Sequence, residues 1–139
     1  MNWWIWSAAC LSAAATAFFV WVRIAPHDPV RWHVMPNVVE AKDTTGGALR
    51  VVPAAPGGLA TLDTLIRSTA RTQALAGSVE SGMVTYITRS KIVGFPDYTT
   101  IRANGANLEM YGRSRFGASD LGVNAARIDA WIADLGQGG

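Results

Sequence analysis

The hydrophobic pattern divides the chain into three parts. Residues 3–22 (WWIWSAACLSAAATAFFVWV) carry no charge, and residues 24–58 are rich in proline and glycine. An uncharged run of about 20 residues is long enough to cross a hydrocarbon core of about 30 Å. Regular helix and strand periodicities begin near Leu59. The pattern therefore predicts a transmembrane helix over 1–23, a tether over 24–58 and a small domain over 59–139.

Helical periodicity appears at both ends of the predicted domain. The first helix carries apolar residues at Leu59, Leu62, Leu65 and Ile66. The second carries an apolar stripe at Ala125, Ile128, Trp131, Ile132 and Leu135. Such stripes are typical of helices that pack on a core. Ser119 or Asp120 can cap the second helix, because a short polar side chain accepts from the first free backbone N–H groups.

Between the two helices the pattern alternates with a period of two, which indicates strands. ALAGSVE and MVTYITRSK flank Ser81-Gly82, while DYTTIRA and ANLEMYGRSRF flank Asn104-Gly105. Asn-Gly strongly favours a two-residue hairpin loop, which here would place Ile101 opposite Leu108. One sheet face is then apolar, and the polar, aromatic face carries Tyr98, Thr100, Arg102, Glu109, Tyr111 and Arg113.

These elements predict the α+β fold class. After the N-terminal helix we expect a small antiparallel sheet of about four strands in two hairpins, covered on one face by two helices. The tether is expected to hold two further short strands, at 37–41 and 49–52, because short runs of β-favouring residues stand there between prolines and glycines.

Composition supports a membrane location for the first segment. The chain is 50% hydrophobic and 16% charged, whereas a typical soluble domain is roughly 25% charged. Tryptophan stands at both ends of the apolar run, at positions 3, 4, 6 and 21, as expected for side chains at the membrane–water boundary. A cleaved signal peptide is the alternative. It would have a basic start, a shorter apolar run and a cleavage site, so we favour a retained helix.

Charge and cysteine content exclude several classes of function. The net charge is +2, and the twelve Lys and Arg are spread along the chain, without the basic stripe that nucleic-acid binding requires. The single cysteine, Cys10, lies in the apolar run, which excludes disulfides within the chain. Arg23 and Arg31 follow the helix, so the positive-inside rule favours a cytoplasmic domain.

Two phrases carry a resemblance to a known family. Residues 94–97 read GFPD, and residues 114–127 read SRFGASDLGVNAAR. On these phrases the chain resembles the domain of unknown function 1499 family over roughly residues 59–135. The stretch APHDPVRWHV is also similar to the region after the anchor in bacterial members. The chain departs from the family at Gly112, where many members carry a serine.

The resemblance implies a bacterial protein that is membrane-anchored or exported, and it brings no activity with it. Exported relatives favour a periplasmic domain, in contrast to the charge pattern after the helix. The expected location is therefore the bacterial inner membrane, with a single membrane pass and a periplasmic domain. A cytoplasmic domain remains the alternative.

Metal binding and catalysis both find little support in the sequence. His27 and His33, with Asp28 between them, are metal-ligand types, but they stand six residues apart in a proline-interrupted stretch. The predicted domain lacks histidine and cysteine, and no nucleophile motif or nucleotide-binding loop is present. Asp97 and Asp120 lie beside arginines, which lower the pKa of a carboxyl group. We therefore expect no enzyme activity, no metal and no cofactor.

Four arginines remain as candidate site residues: Arg89, Arg102, Arg113 and Arg115. Because the guanidinium fork fits carboxylate and phosphate, the polar face can be interpreted as a site for a lipid headgroup or an acidic glycan. The interpretation that the sequence favours is internal ion pairing. In the expected register Glu109 lies diagonal to Arg102, and Asp97 and Asp120 flank the Arg113–Arg115 strand. Asp120 is then the carboxylate that Arg113 and Arg115 contact.

The apolar helix offers one further pattern. Ala9, Ala13 and Ala17 recur every four residues, and small residues at this spacing let two membrane helices approach closely. Alanine is also common in such helices, so composition alone is the alternative explanation.

The functional hypothesis is a non-catalytic single-pass membrane protein that serves as an accessory subunit or assembly partner of a larger inner-membrane protein complex. The expected partners are the lipid bilayer and another integral membrane protein, and no nucleic acid is expected. The alternative is a membrane-anchored binding module for an anionic envelope ligand, such as an anionic lipid headgroup or an acidic glycan.

Overall fold

The computed structural model describes residues 2–37 and 39–137. It begins with a long apolar helix, α1 (Trp3–Ile24), followed by a single-turn helix, α2 (Pro29–Trp32). α1 has 22 residues and a mean hydropathy of 1.8 in its most apolar window. All its side chains except that of Val22 are solvent-accessible. By length and composition α1 is a candidate membrane anchor.

A six-stranded antiparallel sheet forms the body of the domain, in the order β1-β2-β6-β5-β4-β3. The strands are β1 (Lys42–Thr44), β2 (Gly47–Pro53), β3 (Thr72–Ser78), β4 (Met83–Arg89), β5 (Pro96–Asn104) and β6 (Asn107–Ser114). Helices α3 (Gly58–Ser68) and α4 (Val123–Gln137) pack against the sheet. The α+β class is confirmed, and the sheet has six strands rather than four.

The two additional strands come from residues 24–58, for which the sequence predicts a tether. β2 pairs with β6 along its whole length, from Gly47 opposite Arg113 to Pro53 opposite Asn107. β1 covers 42–44 rather than 37–41, and Val38 of the predicted strand lies outside the described residues. Prolines and glycines interrupt the periodicity here, so the sequence signal for β2 is confined to four residues.

The hydrophobic core lies between the sheet and the two helices. α3 contributes Leu62 and Ile66, and α4 contributes Ile128 and Trp131, all at most 4% exposed. The sheet side of this core is formed by Ala48, Val84, Tyr86, Ile101, Leu108 and Met110. Burying an aliphatic side chain of this size contributes about 1.5–3 kcal/mol. The four helix side chains therefore account for much of the attachment of the helices to the sheet.

The β5–β6 turn differs by one position from the predicted one. Asn104 pairs with Asn107, so the loop is Gly105-Ala106, and Ile101 lies opposite Met110 rather than Leu108. Moving the loop by one residue shifts the pairing by two, and an even shift keeps every side chain on its face. The structure therefore has the predicted apolar face towards the helices and the predicted polar face on the other side.

Candidate functional site

The polar face of the sheet is covered by the chain's own residues 25–37, which we call the strap. Trp32 of the strap stacks on Tyr98 of β5, with 3.8 Å between ring centroids and 6° between planes. The strap contains three prolines and only one helical turn. Its backbone carbonyls therefore need donors from elsewhere.

Arginines of β5, of β6 and of the residue just after the end of β6 supply those donors. Arg113 of β6 is 7% exposed and donates to the carbonyl oxygen of Trp32. It also donates to Thr100 Oγ1 at 2.9 Å and to the Tyr111 carbonyl at 3.0 Å. Burial lowers the pKa of Arg113 to about 10, so the guanidinium stays charged at neutral pH. None of the ion pairs among residues 2–37 and 39–137 includes it.

Two further arginines hold the ends of the strap. Arg115, just after β6, donates to the Pro26 carbonyl at 2.8 Å. Arg102 of β5 donates to the Pro36 carbonyl at 3.3 Å. Arg102 also pairs with Glu109 at 2.5 Å, and this carboxylate lies directly opposite on β6 rather than diagonal.

Arg89, the last residue of β4, caps the C-terminal end of α1. It donates to the Val22 carbonyl at 3.5 Å and to the Arg23 carbonyl at 3.2 Å. The last carbonyls of a helix lack partners within the helix, and the helix dipole places negative potential there. A guanidinium at this position therefore stabilises both the helix end and its contact with the sheet.

His27 joins Arg89 to Tyr98, and the donors around it fix its protonation. Arg89 Nη2 lies 2.8 Å from His27 Nε2, and because arginine only donates, Nε2 accepts. The ring proton is then on Nδ1, which donates to the Tyr98 hydroxyl at 2.6 Å. Burial and the charges of Arg89 and Arg115 lower the pKa of His27. The neutral form is therefore the one that the site holds.

His33 also belongs to the strap. Its Nδ1 lies 2.9 Å from Thr85 Oγ1, which is 2.8 Å from Thr100 Oγ1. Within the described part of the chain no group of three or more His, Cys, Asp or Glu side chains could hold a metal ion. Both histidines instead extend the hydrogen-bond network under the strap.

The two candidate aspartates lie elsewhere in the structure. Asp97 points to the helix side of the sheet, where it pairs with Arg127 at 3.1 Å and accepts from Ser114 Oγ at 2.6 Å. Asp120 accepts from the backbone N–H groups of Gly122 and Asn124, both at 3.0 Å. Burial alone would raise the pKa of Asp120, but the hydrogen bond from the Asn124 side chain at 2.9 Å, together with these backbone bonds, outweighs it and lowers the pKa.

The predicted pairing of Asp120 with Arg113 and Arg115 is therefore wrong. Strand alternation places both arginines on the strap side of the sheet, while Asp120 holds the first turn of α4. The predicted contact required at least one of the two arginines to turn back towards Asp120. Arg115 instead donates to the Pro26 carbonyl of the strap.

The last two turns of α1 pack on the same end of the domain. Phe18 lies 6.4 Å from both Phe95 and Phe116, and Trp21 lies 5.4 Å from Phe116, measured between ring centroids. Val22 is fully buried. Together with the arginine contacts, this packing joins α1 to the sheet as one continuous structure.

The alanine row of α1 lies away from the domain. Ala9, Ala13 and Ala17 are exposed. Ala13 and Phe18 are separated by about 140° around the helix axis, since successive residues turn by about 100°. The side of α1 that carries the small residues is therefore open.

Strap residues Trp32 and His27 were not identified as site residues from the sequence. The sequence did contain one signal, an excess of arginine over carboxylate on the polar face. Among the described residues this face of the sheet has one carboxylate, Glu109, and four arginines: Arg89, Arg102, Arg113 and Arg115. A cationic sheet face of this kind needs further acceptors. A proline-interrupted segment whose carbonyls lack sheet partners can supply them.

Comparison with protein families gives one match. The family model described as "Protein of unknown function (DUF1499)" matches residues 22–135. Searches of curated proteins and of solved structures returned no match. The matched region begins at Val22, the first residue whose carbonyl accepts from Arg89, and it includes the whole strap.

Proposed function

The chain belongs to the DUF1499 family, and we propose that this member is a non-catalytic, single-pass membrane protein. We propose further that it serves as an accessory subunit or assembly partner of a larger protein complex of the bacterial inner membrane. In this proposal α1 spans the bilayer, and the domain lies on the periplasmic side.

The main support for the proposal is the attachment of the domain to the end of α1 and to the strap by four arginines. If residues 24–58 formed the flexible tether that the sequence predicts, its two ends would be separated by a root-mean-square distance of about 30 Å. A protein whose domain is only anchored to the membrane needs no more than such a flexible segment between its helix and its domain. Instead Arg89, Arg113, Arg115 and Arg102 bind carbonyls from Val22 to Pro36. A fixed geometry suits a protein that presents a helix and a domain to the same partner.

The exposed alanine row supports an integral membrane partner. The side of α1 that carries Ala13 is turned away from the domain contact at Phe18. A second membrane helix can therefore approach there without displacing the domain, and small residues permit the close backbone contact that such pairs use.

The alternative, a binding module for an anionic ligand, is less well supported. Its best candidate, Arg113, is buried beneath Trp32, and its donors are directed to three oxygen atoms of the chain itself. An anion would have to displace the strap to reach it.

The test is purification of the full-length protein in mild detergent, with Ala13→Leu and Ala15→Leu as matched variants. Ala15 lies about 200° from Ala13 around the helix, so Ala15→Leu adds the same volume on another side. We expect stoichiometric partners with wild type and with Ala15→Leu, and loss of them with Ala13→Leu.

Two results would contradict the proposal. Recovery of the protein alone, with bound lipid or glycan, would favour the binding module. Recovery of a mature chain that begins near Arg23 would identify α1 as a removed signal sequence and would exclude the proposed anchor.

A further inference from the structure

Two loops of the domain lie beside the end of α1. The β4–β5 loop, residues 90–95, and the β6–α4 loop, residues 115–122, leave the sheet at the end where Arg89 and Arg115 contact α1 and the strap. Each loop carries a large apolar side chain in solvent. Ile92 is 84% exposed, and Leu121 is 90% exposed.

We propose that these two loops insert Ile92 and Leu121 into the lipid leaflet next to α1, so that the domain is partly embedded in the membrane surface. The inference rests on the proposed membrane anchoring of α1. Single exposed apolar residues are common on protein surfaces, so the argument depends on where these two are held.

Depth along α1 is the first argument. Trp21 is expected at the membrane–water boundary, and Phe18 lies about 4.5 Å deeper along the helix axis. Phe95 and Phe116, one from each loop, both contact Phe18. Phe116 also lies 5.4 Å from Trp21, so both loops lie alongside the part of α1 that is expected at the membrane–water boundary.

Ile92 also lies along the end of α1. It lines a shallow groove together with Phe19 and Arg23 of α1. The Arg23 guanidinium donates to the carbonyls of Ile92 at 3.1 Å and Val93 at 3.2 Å. These contacts hold the loop along the helix while the Ile92 side chain points outwards.

Hydrogen bonds lower the cost of placing the β4–β5 loop next to lipid. Backbone groups that lack partners are costly in a bilayer. Ser90 Oγ accepts from the Gly94 N–H at 3.0 Å and from the Phe95 N–H at 2.9 Å. Together with Arg23, which binds the Ile92 and Val93 carbonyls, this serine provides partners for four backbone groups of the loop.

Leu121 is presented in an unfavourable backbone conformation. Its φ is +53°, a left-handed region that disfavours residues with a β-carbon. The Leu121 N–H donates to Ser119 Oγ at 3.1 Å, and the neighbouring Gly122 N–H donates to Asp120. The loop is thus held in a shape that exposes a leucine where glycine or asparagine would fit more easily.

The experiment is depth-dependent fluorescence quenching of the full-length protein, reconstituted in phosphatidylcholine–phosphatidylglycerol vesicles. An environment-sensitive thiol-reactive fluorophore is placed at Ile92→Cys or Leu121→Cys, each in a Cys10→Ala background. Ala106→Cys is the control, because Ala106 is exposed in the β5–β6 turn at the opposite end of the sheet. Native Cys10, labelled in the wild type, reports on α1 itself.

We expect lipids that carry a nitroxide near the headgroup end of the acyl chain to quench the labels at 92 and 121 several-fold more than the label at 106. A label on Cys10 should respond best to a nitroxide deep in the acyl chain. If Cys10 responds in this way while 92 and 121 behave like 106, the loop inference is wrong and the anchor stands.

If the Cys10 label is not quenched by any lipid nitroxide, the proposed anchor fails, and the loop inference fails with it. Protection of the 92 and 121 labels from aqueous iodide without quenching by lipid nitroxides would indicate a protein contact. That result would also overturn insertion into lipid.

Discussion

Replacing Arg113 with methionine should weaken the attachment of the strap by about 2–4 kcal/mol. Of the three hydrogen bonds that Arg113 donates, only the one to Trp32 joins the sheet to the strap, and such a bond from a charged donor contributes about 1.5–3 kcal/mol. The guanidinium also lies 5.8 Å from the centroid of the Trp32 ring, a contact that contributes about 2 kcal/mol when it is desolvated. Removal of a buried cation without a carboxylate partner returns part of that energy, since its desolvation is costly. Methionine has a similar length, so the cavity that it leaves is small.

Hydrogen–deuterium exchange measured on the full-length protein in nanodiscs tests this value. The amide groups of Trp32 and His33 donate to Asp28 and Pro29 within α2, and their exchange reports release of the strap. A loss of 2 kcal/mol or more corresponds to an increase of about 30-fold or more in the population of the open state. We expect at least that acceleration over residues 26–36, with less change in β5 and β6.

Arg31→Met is the matched control for this prediction. Arg31 is exposed and lies over the Trp32 ring at 4.9 Å, an arrangement that contributes about 0.5–1 kcal/mol at an exposed site. The control should therefore have a small effect. If the strap of Arg113→Met exchanges at the wild-type rate, the guanidinium does not hold the strap on the polar face of the sheet, and this prediction is wrong.

Three further predictions follow from the same contacts. The free-energy losses of Asp120→Asn and Arg115→Gln should add within about 0.5 kcal/mol, because the two residues have different partners; a coupling energy above about 1 kcal/mol in denaturation would restore the ion pair predicted from the sequence. The lowered pKa of His27 means that the released strap binds a proton more readily than the docked one. Stability of the docked form should therefore be complete well above the ordinary pKa of 6.5 and should fall as the pH drops below it. His27→Gln should flatten the pH dependence of strap exchange, and an unchanged profile would contradict the role of His27. Ala13→Leu should leave thermal unfolding of the domain unchanged while reducing co-purification of partners, and a loss of both would point to a structural role for α1 instead.

The sequence was sufficient for the faces of the central hairpin. Alternation in β5 and β6 assigns Ile101 and Met110 to the core and Tyr98 and Arg113 to the other side, and the structure agrees. The assignment did not depend on the exact turn, because the observed pairing differs from the predicted one by an even number of residues. The apolar stripes of α3 and α4 were equally clear.

The hydrogen-bond partners of the arginines could not be predicted from the sequence. A side chain's face follows from strand periodicity, but its partner depends on which distant segment covers that face. Here the partners of Arg113 and Arg115 are carbonyls of Trp32 and Pro26. A backbone carbonyl acceptor cannot be recognised from residue type, because every residue has one. Only carboxylate side chains could be predicted as partners of the two arginines, and Asp120 was therefore the predicted partner.

The central claim is that α1 and the domain are held as one body by the strap. It is tested most directly by a distance distribution between two spin labels, one on native Cys10 and one on Ala106→Cys, in the full-length protein in nanodiscs. Cys10 lies in α1, and Ala106 lies in the turn at the far end of the sheet. We predict a single narrow distance peak that broadens in Arg113→Met. A distribution already broad in the wild type, with the spread of about 20 Å that a flexible segment over 25–41 would allow, would contradict the account.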